Sequence, residues 1–177
     1  MKLFDFNERF KEYGKKQVKD DAGISVKTVL DINNDGKLEV IATVHAGFRL
    51  KPRGVFVFDY ETEDELWYYP IANISYDNYY LWGRYPHIWG ITDLDGNGTL
   101  DIVVSTYASC NGNIEDDTDD CHCYVVGLDA HGNELFITEI GEYFTGVNVG
   151  IDDIDDDGYL EIVGTAFNAF QLWGFGT

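Results

Sequence analysis

The stretch Asp153-Ile154-Asp155-Asp156-Asp157-Gly158-Tyr159-Leu160-Glu161 decides how this chain is read. Side-chain oxygens stand at positions 1, 3, 5 and 9, with a glycine at position 6. An apolar run, Ile162-Val163-Gly164, follows at once. Carboxylates at every second position of a tight loop can converge on one hard cation, and calcium takes about 6–8 oxygen ligands in a flexible shell. The glycine supplies the positive φ that turns the loop back on itself. Position 7, Tyr159, adds a backbone carbonyl.

The pattern occurs twice more. Asp31-Ile-Asn33-Asn-Asp35-Gly36-Lys37-Leu-Glu39 runs into Val40-Ile41-Ala42, and Asp93-Leu-Asp95-Gly-Asn97-Gly98-Thr99-Leu-Asp101 runs into Ile102-Val103-Val104. Lys37 and Thr99 stand at position 7, where the main chain would contribute. The first aspartates are 62 and then 60 residues apart. Three acidic turns joining strands would be the plain alternative, but a plain turn does not require this ligand spacing three times over. An EF-hand needs an acidic residue at position 12 and a helix on each side. Position 12 is Ala42, Val104 and Gly164, and the flanks are β-branched and apolar, so the spacing predicts strand–loop–strand cation turns.

A loop of the form D-x-[DN]-x-[DN]-G-x-L-[DE] followed by a short apolar strand resembles the FG-GAP/VCBS repeat, known from the integrin α-subunit propeller. The resemblance covers residues 24–177. It implies an all-β chain of about three four-stranded antiparallel β-propeller blades, with calcium held between the first two strands of each. The implied ligands are Asp31, Asn33, Asp35 and Glu39; Asp93, Asp95, Asn97 and Asp101; and Asp153, Asp155, Asp157 and Glu161. About three Ca2+ ions follow.

The rest of the chain is consistent with that plan. Strand one of each unit enters the loop (residues 26–30, 87–91, 147–151) and strand two leaves it (38–44, 100–107, 160–167). Strands three and four form a hairpin. Phe56-Val-Phe58-Asp59 leads through an acidic turn to Glu65-Leu66-Trp67, and Val125-Val126-Gly127-Leu128-Asp129 leads to Glu134-Leu135-Phe136. The units run over approximately 24–75, 86–140 and 146–177. Residues 1–23 read either as an amphipathic helix bearing Phe4, Phe6, Phe10 and Tyr13, or as two strands, 3–6 and 10–14. The strand reading is preferred, because residues 1–14 then supply the hairpin that the third unit lacks.

Propellers usually carry about four to eight blades, and three are too few to close a ring alone. Strand exchange between termini or between subunits is therefore expected. The outcome would be a closed homo-oligomer, an open filament, or a piece of a longer propeller.

Composition bounds the partners. Thirty-two acidic residues against twelve Lys and Arg give a net charge of −20, of which three divalent cations would offset six. A chain this acidic is disfavoured on a nucleic-acid backbone or an anionic membrane. No apolar run reaches the ~18 residues of a membrane span. The first residues do not read as a signal peptide, because charge breaks their apolar run. Cation sites of millimolar affinity, and a disulfide, would suit an extracellular or cell-surface setting.

Two insertions depart from the repeat. Residues 76–87 carry Tyr79, Tyr80, Trp82 and Arg84, a composition that a sugar-binding surface uses and that a buried interface uses equally. Residues 110–123 form a hairpin tip with the acidic run 115–120, read as solvated. There Cys110 faces Cys121 or Cys123 as a candidate disulfide, with free thiols as the alternative. Zinc on Cys121-His122-Cys123 is disfavoured, because in a strand the two thiols share one face and the imidazole points to the other.

No catalytic constellation stands out. His45, His87, His122 and His131 are scattered, and no nucleophile elbow or phosphate-cradling loop occurs. The best-placed carboxylates serve as cation ligands, which keeps them ionised and makes them poor general acids. The reading is a calcium-binding module with a structural or adhesive role through self-assembly or protein binding. The alternatives are a carbohydrate-binding lectin and, less favoured, a polysaccharide-active enzyme subunit. The third loop, with four carboxylates, is expected to bind calcium most tightly.

Overall fold

The computed structural model describes residues 23–45, 54–76, 79–82, 86–106, 118–119, 123–140 and 145–168. Within them the chain is all β, and no helix occurs among the described residues. The first sheet is an antiparallel meander of β1 (Gly23–Leu30), β2 (Glu39–His45), β3 (Gly54–Asp59) and β4 (Glu65–Pro70). The second is built the same way from β7 (His87–Thr92), β8 (Asp101–Ser105), β10 (Cys123–Leu128) and β11 (Glu134–Ile140). The third pairs β12 (Thr145–Asp152) with β13 (Glu161–Asn168). None of these sheets closes into a barrel.

Burial explains the sequence of each strand. The central strands β8 and β10 are buried throughout, so both faces are apolar and no alternation is visible. The edge strands β4 and β11 carry exposed residues at their starts, with partly buried aromatics following. The first two sheets also share their irregularities. β1 slips register between Val26 and Thr28, and β7 between Ile88 and Gly90. β3 slips at Val57/Phe58, and β10 at Gly127/Leu128. Gly127 lies under the Phe136 ring, where a Cβ would sit 2.2 Å from the ring edge, so any other residue would have to displace that ring.

The sheets stack through their faces. One core joins the first two, with Ile32, Ile41, Val55, Val57 and Tyr69 on one side and Ile88, Ile102, Val104, Tyr124 and Val126 on the other. At its outer edge Trp67 Nε1 donates to the Ala130 carbonyl at 2.9 Å, and Tyr69 Oη donates to Glu134 Oε1 at 2.9 Å. A second core places Val103, Val125 and Phe136 against Val147, Val149 and Ile151 of the third sheet. The opposite face of the first sheet carries Val40, Val44, Phe56 and Phe58, all buried.

The strands expected around the three loops and in the two hairpins are present. The two insertions also carry short strands. β5 (Ala72–Tyr76) pairs with β6 (Tyr79–Trp82), and β6 pairs in parallel with the short β9 (Thr118–Asp119). Within the acidic run, Thr118 stands opposite Tyr80 and Asp119 opposite Leu81. The expected N-terminal strands and the end of the third unit lie outside the described residues.

Candidate metal centres

Each of the three loops begins where an incoming strand ends and closes where the outgoing strand starts. Their hydrogen bonding is the same. The position 1 carboxylate accepts the position 5 N–H on Oδ1, at 3.0 Å for Asp31, Asp93 and Asp153 alike. Its Oδ2 accepts the glycine N–H of position 6, at 2.8, 2.9 and 2.8 Å. The position 9 carboxylate accepts the N–H of position 2: Glu39 from Ile32 at 2.9 Å, Asp101 from Leu94 at 2.8 Å, Glu161 from Ile154 at 2.7 Å. The side chain at position 5 accepts the position 7 N–H, Asp35 from Lys37, Asn97 from Thr99 and Asp157 from Tyr159. Each accepting carboxylate oxygen retains a lone pair for a cation, whereas Asn97 Oδ1 also accepts from the Thr99 hydroxyl.

Two left-handed residues make this wrap possible. Position 6 has φ of 86°, 88° and 92° at Gly36, Gly98 and Gly158. Position 4 is left-handed as well, at Asn34 (58°), Gly96 (74°) and Asp156 (60°). The sequence reading assigned position 4 no role. The signal was available, since Asn, Gly and Asp are the residues that tolerate this conformation best.

The second and third loops bring three carboxylates together. Asp93, Asp95 and Asp101 offer oxygens within 4.8 Å of one another, and so do Asp153, Asp155 and Glu161. Two oxygens on one calcium, each at about 2.3–2.6 Å, lie no farther apart than roughly 5 Å, so either trio fits a single ion. The first loop differs. Asn33 replaces the acid at position 3, its Nδ2 donating to Asp35 Oδ2 at 3.3 Å, and the carboxylates of Asp31, Asp35 and Glu39 do not form such a trio.

Burial separates the loops further. Glu39 and Asp101 are buried because they open β2 and β8, which are flanked by strands on both sides. Glu161 opens β13, paired with β12, and is half-buried. Burial raises the Asp101 carboxyl above its ordinary range; the Leu94 N–H opposes this, and Asp95, Asp93 and Asp129 add to it. Glu39 is raised in the same way, by burial first, against the Ile32 N–H, with Asp35, Asp31 and Asp59 adding to it. Asp101 Oδ1 is buried and finds no hydrogen-bond donor. Such an atom costs about 1–3 kcal/mol or more when left alone, and a cation ligated there would remove that cost. The donor set is all oxygen, with neither imidazole nor thiolate, which suits a hard divalent ion.

Asp59 and Asp129, read from sequence as strand ends, stand beside the first two loops. Glu39 is in register with Asp59. Both aspartates are engaged in their own turns: Asp59 Oδ1 accepts from Glu61 and Thr62, and Asp129 Oδ1 from His131 and Asn133. Their contribution to the loops is negative charge.

Tyr79, Tyr80 and Trp82 lie on β6, described by its backbone pairing, and Arg84, Cys110 and Cys121 lie outside the described residues. Cys123 is a buried free thiol whose Sγ approaches the Thr106 carbonyl at 3.1 Å, so the Cys110–Cys123 pairing is not formed. Burial pushes its pKa up to about 12, with the Thr106 contact opposing. A raised pKa favours the fold while the thiol is protonated. That contribution is present below about pH 9 and is lost as pH rises toward 12. At pH 8 Cys123 in the native protein should resist iodoacetamide, and it should label after unfolding. Peptide mapping reads this site by site, and rapid native labelling of Cys123 would contradict its burial.

No family model matches the chain, and neither a curated protein nor a solved structure matches it.

Proposed function

We propose that this chain is a calcium-binding module of FG-GAP/VCBS type, whose bound ions hold successive propeller blades and which works by association with itself or with another protein. The observation that carries the reading is the buried, donorless Oδ1 of Asp101 within a loop whose hydrogen-bond pattern recurs at three places. In this reading Asp93, Asp95, Asn97 and Asp101 hold one ion, and Asp153, Asp155, Asp157 and Glu161 a second. Asp31, Asn33, Asp35 and Glu39 hold a third, with Asn33 contributing an amide oxygen. Calcium is favoured over magnesium because a wrap of this kind supplies many oxygens without imposing octahedral geometry. The ions are structural: they neutralise crowded carboxylates and fix the turn that sets each pair of strands. The setting proposed is extracellular, where calcium is plentiful.

Calorimetric titration of chelator-treated protein tests this. Calcium should bind at each loop, and Asp31→Ala, Asp93→Ala and Asp153→Ala should each remove one equivalent. The third loop should be the tightest site, since ligand charge tunes affinity. Magnesium should compete at least about tenfold more weakly. Unchanged stoichiometry in all three variants would overturn the assignment.

A further inference from the structure

The contact between the first two sheets shows what each sheet offers its neighbour. Ile32, at position 2 of the first loop, is 1% exposed and packs with Ile41 of β2 and with Ile88, Ile91 and Leu100 of the second sheet. The Leu100 N–H donates to the Ile32 carbonyl at 2.8 Å, tying one loop to the next. The second and third sheets share the packing. Leu94 and Val103, the counterparts of Ile32 and Ile41, pack with Val147, Val149 and Ile151. Each of the first two sheets thus covers positions 2 and 11 of its loop with the incoming strand of the sheet that follows.

Both ends of this series are open. Ile154 and Val163, at positions 2 and 11 of the third loop, are 59% and 49% exposed. Val26, Val29 and Leu38, the first-sheet counterparts of Ile88, Ile91 and Leu100, are 48%, 41% and 46% exposed. Single exposed aliphatics are ordinary, but these five occupy the positions that the internal contacts bury. The outer part of the same face of the first sheet, at Phe56 and Phe58, is already buried. The open patch there is confined to β1 and its loop, which suits a neighbour made of β12 and β13.

We propose that the third sheet of one chain docks on β1 and the first loop of a second copy. Ile154 then takes the place that Ile32 has internally, and Leu38 the place of Leu100. The partner is a second copy because this chain itself carries both halves of a contact that it makes twice within itself. The interface is heterologous, so it builds a ring or a filament. It rests on the association reading above, and on the loops being loaded, since it sets two acidic loops side by side in a chain of net charge −20.

Two double variants of the full chain test it by light scattering in saturating calcium. Ile154→Gln with Val163→Gln blocks one face, and Val26→Gln with Leu38→Gln blocks the other. All four positions are exposed, so each variant should melt as the wild type does in dilute solution. The wild type should grow in mass with concentration and return to monomer in chelator. Each variant should self-associate at least about a hundredfold more weakly. Mixed one to one, the two variants should form a dimer through their remaining good faces. A wild type that stays monomeric throughout would overturn both the self-association reading and this interface. A wild type that assembles, with variants that assemble equally well, would overturn the interface alone.

Discussion

Chelation should lower the thermal unfolding midpoint by about 10–20 °C. Each site filled at about a hundred times its dissociation constant adds about 2.7 kcal/mol to the folded state. The second and third loops, where three carboxylates converge, together add roughly 5 kcal/mol, and about 1 kcal/mol moves the midpoint of a chain this size by some 2–4 °C. The loops give the reason a bound ion would stabilise the fold. Asp93, Asp95 and Asp101 crowd within 4.8 Å, and burial disfavours ionised Asp101. A cation reverses the sign of that local cost. Asp101→Asn separates the two states. In calcium it should destabilise by about 2–3 kcal/mol, through loss of most of one site. In chelator it should be neutral or mildly stabilising, because an amide keeps the bond to the Leu94 N–H and removes the buried charge. Differential scanning calorimetry of both proteins in both buffers reads this directly. A midpoint unmoved by chelator, or an Asp101→Asn penalty equal in the two buffers, would contradict a structural role for the ion.

The second large effect is a contrast between two isoleucines at the same loop position. Ile32→Ala should cost about 2–4 kcal/mol, because it leaves a cavity between the first two sheets. The Ile32 side chain is buried, its N–H serves Glu39 and its carbonyl receives Leu100, so the surroundings have little room to relax. Ile154→Ala in dilute solution should stay within about 0.5 kcal/mol, because that side chain is largely exposed. Urea unfolding of the two variants measures the difference. Equal penalties would show that position 2 acts through its own loop and not through the adjoining sheet.

The sequence reading located the loops and the strands around them because both signals are local. Asp, Gly and Leu at fixed offsets specify a turn, and the apolar runs on either side specify its strands. The partition of the ligands was less legible. Asp101 and Glu161 look alike at position 9, yet one is buried and the other half-buried, and of their two strands only β8 is flanked by strands on both sides among the described residues. Position 4 was overlooked because its three residues, Asn34, Gly96 and Asp156, share a backbone tolerance and not a chemistry. The pairing of β6 with β9 was invisible for a third reason. It joins two insertions about forty residues apart, and no periodicity within either one announces the other. Cys123 illustrates the same limit: its partners are Thr106 and the sheet interior, set by β10 being central.

The central claim is that these loops are calcium sites, and the most direct measurement is native mass spectrometry of chelator-treated chain titrated with calcium. The account predicts three bound ions per chain, and two in Asp93→Ala or in Asp153→Ala. A chain that gains no calcium mass, or that gains the same mass in those variants, would contradict it.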